Sequence, residues 1–419
     1  MKANESIEKY PARVREYTNY VIKSIKNVCK TYGPRPVGSE SDRKAQEYYK
    51  ADLEKFCDEV TVEPFKVSDK AFMAWVPLGA VLLTLSALFY LFGMAVVSLA
   101  LTALTLFFIL SEFIFYKQTL DVFFKKKDTA NVVGVRKAAG ETKRRIIISG
   151  HTDSAFEWTY TYHGGRPAVA TIIGTAIAGI VITIAASIIS IVNGGAFDIS
   201  IVVTGDNVLV ACLSIAMLIL VPFYIAALFF CNYKKPVMGA NDDLTGTFIS
   251  AAVTKFLSDN DIRFENTEVV ALMAAGEEAG LRGSKAYAKA HKDELKNSDI
   301  QTVFVGFDTI REFDFMTIFD KDMTGVVKND ERVAKLIKDG ATIAGYDNVK
   351  IDTIALGATD AAAMSQAGVA AASFVAMDPS PARYYHTRLD TEDNLDPKTI
   401  EAGVKIALET TFLFDERGI

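Results

Sequence analysis

Arg144-Arg145-Ile146-Ile147-Ile148-Ser149-Gly150-His151-Thr152-Asp153 is a strand-like stretch whose apolar centre leads to a histidine. Three isoleucines in succession fit a strand covered on both faces, as in a parallel or mixed sheet, rather than one with a wet side. Ligands of such sheets gather at the carboxyl ends of the strands. His151 stands there, and Asp153, two positions on, could fix its imidazole from behind a metal. Taken alone, a strand-end histidine is more often plain polar surface.

Short β-rich runs recur at 59–65, 131–136, 268–273, 302–307, 315–319 and 372–376. Helical patterns lie among them at 39–56, 243–257, 281–290, 332–344, 358–366 and 397–414. This alternation predicts an α/β domain with a mixed, largely parallel sheet flanked by helices.

Two of its strands end like the first. Val269–Met273 leads into Ala274-Ala275-Gly276-Glu277-Glu278-Ala279-Gly280-Leu281-Arg282-Gly283-Ser284, where two adjacent carboxylates repel each other unless a cation or a shared water reconciles them. A helix start that simply favours acidic residues is the plain alternative. Asp308 follows the strand at 302–307, and His386 lies in the polar loop Tyr384-Tyr385-His386-Thr387-Arg388-Leu389-Asp390-Thr391. Gly239-Ala240-Asn241-Asp242-Asp243 precedes a helix of small residues. Asp243 suits an N-cap there, and Asp242 suits a metal. Two histidines and three carboxylates from five segments suit Zn2+, with Co2+ or Mn2+ as substitutes.

The series HxD, GxNDD, GEExGLxGS, a strand-end aspartate and YHTxxDT resembles the co-catalytic zinc peptidases, which include bacterial leucyl aminopeptidases, aminopeptidase Y and glutamate carboxypeptidase. Gly33-Pro34-Arg35-Pro36-Val37-Gly38-Ser39 is similar to the family's early GxRxxGS stretch, and Thr359-Asp360 with Gly368-Val369-Ala370 to its SD…GxPA segment. The resemblance implies two Zn2+ ions bridged by Asp242. His151 and Asp308 would complete one site, Glu278 and His386 the other. Glu277 would be the general base, Asp153 would orient His151, and Tyr385 would hydrogen-bond the tetrahedral intermediate. It also implies a non-proline cis peptide at Asp242-Asp243. The chain departs from the family at Thr359, where serine is common, and at Val369, where many relatives have proline. Those departures put substrate choice in doubt, leaving a peptide or an N-acyl amide as the substrate class. Two other readings share the fold: a single-zinc glutaminyl-cyclase-like transferase, and a non-catalytic membrane receptor or scaffold.

Four apolar segments are foreign to such a domain. Half of the 419 residues are hydrophobic and the mean hydropathy is +0.20, so contact with membrane lipid is expected. The stretch 72–116 is about twice the roughly 20 residues of one span and predicts a hairpin turning near Phe92-Gly93. The segments at 168–192 and 208–230 predict a second hairpin joined by the loop 193–207. The expected division is an interrupted catalytic domain (1–71, 117–166 and 232–419) with hairpins at 72–116 and 167–231. Lys117, Lys125, Lys126, Lys127, Arg166, Lys234 and Lys235 flank the hairpins on the domain side, while the hairpin tips carry no lysine or arginine. The positive-inside bias then makes this an integral protein of the cell membrane with its catalytic domain in the cytoplasm.

A net charge of -6 argues against nucleic acid as a partner. The four cysteines lack CxxC spacing and read as reduced thiols. The first 30 residues, charged throughout, lack the apolar core of a cleaved leader. The second hairpin interrupts the chain between His151 and Asp242, leaving about fifteen residues before it and about six after it. At ~3.3–3.6 Å per extended residue, the metals are expected near the bilayer surface, where apolar or membrane-associated amides are presented.

Overall fold

A computed structural model describes residues 2–194, 204, 208–297, 299–380 and 382–419. Among these, nine strands form one sheet in the order β1 (Glu59–Val67), β2 (Lys127–Arg136), β6 (Thr267–Ala274), β3 (Arg144–His151), β7 (Gln301–Ile310), β11 (Ala370–Ala376), β8 (Met316–Asp322) and β10 (Lys350–Thr353), with β9 (Val327–Lys328) beside β8. Strands β6, β3, β7 and β11 run parallel, and the outer pairs β1–β2, β2–β6 and β11–β8 are antiparallel. The sheet is mixed and helix-flanked, as the alternation of elements predicts. Two further short strands, β4 (Phe156–Trp158) and β5 (Cys231–Pro236), pair with each other.

The isoleucine run shows why β3 is central. Ile146 and Ile148 pack on one face against a core that includes Phe248, Phe256 and Phe412. Ile147 points the other way, into a core with Leu272, Phe304 and Met364. From Arg145 onward every residue of the strand is buried, and no polar alternation appears.

The chain divides into two compact units: Met1–Asp69, Lys126–Phe156 and Lys235–Ile419 form the first, Lys70–Lys125 and Glu157–Lys234 the second. The first holds the sheet. It also holds a helix the sequence did not announce, Tyr10–Tyr32, whose Val14, Tyr17, Val21, Ile25 and Val28 are buried at helical spacing between charged residues. Strand β10 was equally silent, because it is an exposed edge strand with no apolar face.

Among the described residues, the second unit contains four helices long and apolar enough to cross a membrane: Phe72–Leu91, Ala95–Ile114, Thr159–Val192 and Val208–Ala227. Gly93, at φ +76°, makes the turn of the first hairpin. The third helix begins nine residues before the expected 168, because Gly165 (φ 58°) breaks it and hides an aromatic first portion ahead of the apolar run. Most of the loop expected at 193–207 lies outside the described residues. Inside this unit, Ser86 bonds the hydroxyls of Ser98 at 2.9 Å and Thr102 at 2.8 Å, and Ser187 reaches Ser98 at 3.3 Å. Buried hydroxyl pairs of this kind join helices where no hydrophobic force distinguishes helix from lipid.

Candidate metal centre

The site begins where helix Leu244–Asp259 meets the ends of β3 and β7. That approach is possible only without side chains. A Cβ on Gly150 would lie 2.1 Å from the Thr247 nitrogen, and one on Gly246 would lie 1.9 Å from the Phe307 carbonyl oxygen. Asp243 fastens the junction. Its carboxylate accepts from the backbone nitrogens of Gly246 (2.8 Å), Thr309 (3.1 Å) and His151 (3.0 Å). The N-cap read from the sequence is therefore present, and the same side chain also ties down two strand ends.

The Asp242–Asp243 peptide is cis. Asp242 Oδ1 lies 3.1 Å from His151 Nε2, and Oδ2 lies 3.1 Å from His386 Nε2. His386 Nε2 is also 3.2 Å from Glu278 Oε1. Two groups of donor atoms, each within 4.8 Å of one another, could hold a metal ion: His151 with Asp242 and Asp308, and Asp242 with Glu278 and His386. They share Asp242. A third such group, His151 with Glu277 and Glu278, overlaps both. The structure thus brings all five sequence-predicted ligands together from five segments.

Asp153 is fully buried. One of its oxygens is 3.5 Å from His151 Nδ1. Its carboxylate also accepts from the backbone nitrogens of Gly276 (2.8 Å), Glu277 (3.1 Å) and Glu278 (3.3 Å). It positions the paired glutamates as directly as it faces the histidine. Glu277 Oε2 stands 3.9 Å from His151 Nε2. The Tyr385 ring stacks on His386 at 3.9 Å between centroids.

The electrostatics are those of crowded, buried anions. Burial pushes the Glu277 carboxyl well above the usual range, with Glu278 and Asp308 adding to it against the pull of His151. Burial likewise raises Asp308, to about 7. Burial also acts on Asp242, but hydrogen bonds to His151 and His386 overcome it and hold its carboxyl below the usual range. Burial opposes charge on His386, yet Glu278 and Asp242 hold it up at about 10. Burial and then the carboxylates of Asp242 and Glu278 raise the Tyr385 phenol well above its ordinary value, so it stays a donor. Imidazole and carboxylate donors gathered in a dry pocket fit divalent cations, which would neutralise that charge.

Three supports escaped the sequence reading. Asp390 accepts from both nitrogens of Asn241 at 2.8 Å and from the Asp242 nitrogen at 3.2 Å, so it holds the shared carboxylate from behind. Its signal was its place in the YHTxxDT motif. Arg35 is fully buried and donates to the carbonyls of Gly33, Thr152 and Gly239, tying the GPRPVGS segment to two site loops. Asp360 accepts from Ser284 Oγ beside the glutamate loop. Of the other histidines, His163 is exposed on helix Thr159–Val192, its ring against Tyr162. His291 is held between Glu63 and Glu294, each at 2.8 Å.

Residues 225–411 match the model of peptidase family M28. The match takes in Asp242, Glu277, Glu278, Asp308 and His386, while His151 and Asp153 lie before it and are joined to it by the fold. The resemblance to the co-catalytic zinc metallopeptidases is thereby borne out. Among curated proteins no sequence match is found. The fold is similar to that of a glutaminyl cyclase from Bacteroides thetaiotaomicron (14% identity, 94% of this chain and 97% of that one, TM-score 0.54). It is also similar to a zinc aminopeptidase from Bacillus subtilis (11%, 94% and 94%, 0.55) and a Zn-dependent exopeptidase from Parabacteroides distasonis (12%, 95% and 97%, 0.53). At such identities the likeness establishes a zinc exopeptidase-like fold and nothing about substrate.

The shared carboxylate generates a metal-content prediction. Elemental analysis should find two divalent ions per chain, the number that two-metal sites require. Asp242→Asn should lower both together, whereas His386→Ala should spare one. Loss of a single ion from Asp242→Asn would contradict a common ligand.

Proposed function

We propose that the protein is a membrane-embedded, zinc-dependent, aminopeptidase-like hydrolase that cleaves an amide bond in a peptide or an N-acyl amide. The observation that carries this reading is Asp242, whose two oxygens face two different histidines and so join two metal-holding groups. Zn2+ ions held there would supply Lewis acidity, easing deprotonation of water and polarising the scissile carbonyl.

The chain's own residues do the rest. Glu277, half-buried and beside both groups, takes the proton from the attacking water and returns it to the leaving amine. Tyr385 donates a hydrogen bond to the oxygen that becomes negative as the carbonyl carbon turns tetrahedral. Asp153 orients His151 and fixes the backbone beneath Glu277. The carboxylates of the site would receive a free substrate amine, which favours cleavage next to an amino terminus. A single-zinc glutaminyl-cyclase-like transferase shares the fold, but two groups with a histidine in each favour the hydrolase.

The first test is Glu277→Gln, which keeps size and removes the base. Turnover should fall by roughly 10²–10⁴-fold with metal content unchanged. Parallel loss of metal and activity would make Glu277 a ligand.

The second concerns orientation. The seven basic residues flanking the hairpins support a cytoplasmic catalytic domain. A membrane-impermeant thiol reagent added to intact cells should label Thr204→Cys and not Lys296→Cys. The reverse pattern would overturn the orientation.

The third concerns substrate. The insertion of a hairpin between His151 and Asp242 in the chain supports apolar or membrane-associated amides as substrates. In nanodiscs, kcat/KM should be higher for a long-chain or apolar amide than for a short polar one. Equal values would leave the spans as a mere tether.

A further inference from the structure

We propose that the turn Leu120–Phe123, with the lysines that follow it, is a headgroup-level anchor for an anionic phospholipid surface. The proposal rests on the reading of Ala95–Ile114 as a membrane span. After that span the chain does not simply leave. Glu112, fully buried within its last turn, accepts from the Leu120 backbone nitrogen at 2.8 Å. The Lys117 nitrogen donates to the Ser111 carbonyl at 2.7 Å, and the hydroxyls of Ser111 and Thr119 are hydrogen-bonded. Segment 117–120 is thus fastened back onto the end of the span, so the following residues emerge at the level where the span stops.

What emerges there is apolar. Val122 is 78% exposed and Phe123 77% exposed, more than nearly any other large hydrophobic side chain of the protein. Their neighbours Leu120 and Asp121 are buried, so the turn is packed on one side and offers only this pair on the other. Lys117, Lys125 and Lys126 are exposed around it, while Lys127 is held by Asp69 at 2.7 Å. An apolar tip flanked in sequence by exposed lysines matches the boundary between acyl chains and phosphates. Lysines close to an anionic surface are attracted to it.

The same end of the hairpin carries an aromatic cluster. Phe72 lies 4.7 Å from Tyr116, and Trp75 lies 5.2 Å from Phe113, centroid to centroid. Tryptophan and tyrosine concentrate at the headgroup level of membrane proteins, which independently sets the depth of the turn.

The test uses the full-length chain in nanodiscs of phosphatidylcholine, with and without phosphatidylglycerol. An environment-sensitive fluorophore is placed in turn at Phe123→Cys, at native Cys212 within a span, and at Lys296→Cys on the catalytic unit. The label at 123 should be quenched by brominated acyl chains and show a several-fold lower iodide quenching constant than the label at 296. Acyl-chain quenching should increase with phosphatidylglycerol, and Lys125→Gln with Lys126→Gln should abolish that increase. Iodide quenching at 123 equal to that at 296, with Cys212 shielded, would overturn the anchor and leave the membrane reading standing. Insertion at 123 that ignores lipid charge would overturn the anionic preference. Free access of iodide to Cys212 would sink the membrane reading, and the anchor with it.

Discussion

Adjacent carboxylates with divided duties hold this molecule together. Asp243 accepts from three backbone nitrogens, one each from the helix Leu244–Asp259, β3 and β7, and from the Thr245 hydroxyl. Asp242 makes no such commitment and faces the two histidines. Each buried N–H left without its acceptor costs about 1–3 kcal/mol, so the junction is fixed before any ligand arrives. The glycines at 150 and 246 admit the helix, Asp243 locks it, and the direction in which Asp242 points follows. Asp390 and Arg35 repeat the device, securing the 239–242 turn through backbone groups rather than through the metal-facing atoms.

Much of this was legible in the sequence because strand-end chemistry is local. The isoleucine run gave β3 and its burial on both faces, and the small-residue helix after Asp243 gave its cap. Three of the five ligand segments, those of His151, Glu278 and Asp308, were recognisable because their polar residues stand just where an apolar run stops. The match over residues 225–411 would have missed His151, which reaches the site through its place in the sheet.

Other parts were not legible, for equally physical reasons. Helix Tyr10–Tyr32 buries Val14, Val21 and Ile25 on one side while its charges face water, and scanning for uncharged runs overlooks such a stripe. Strand β10 buries almost nothing, so nothing in its composition marks it. Arg35 and Asp390 look like surface charges when read singly. Their importance lies in partners 204 and 149 positions away, which only the folded chain brings near. Gly165 concealed the true start of its helix, because Gly-Gly-Arg-Pro reads as a boundary and acts as a kink.

The order of strands across the sheet has a consequence for synthesis. β3 is flanked by β6 and β7, both of which are translated after the second hairpin. When His151 leaves the ribosome, its strand has no neighbour, and its first one is complete only roughly 120 residues later. At ~5–20 residues per second that is a wait of roughly 6–25 s. During it, an isoleucine-rich strand with two unpaired edges is exposed, the kind of segment that associates with other chains. The apolar helices Thr159–Val192 and Val208–Ala227 are synthesised in the same interval, whereas Phe72–Leu91 and Ala95–Ile114 precede β3 in the chain. On the reading of these helices as membrane spans, productive biogenesis couples their insertion to whatever shields β3, and a stalled second hairpin would leave an aggregation-prone nascent chain.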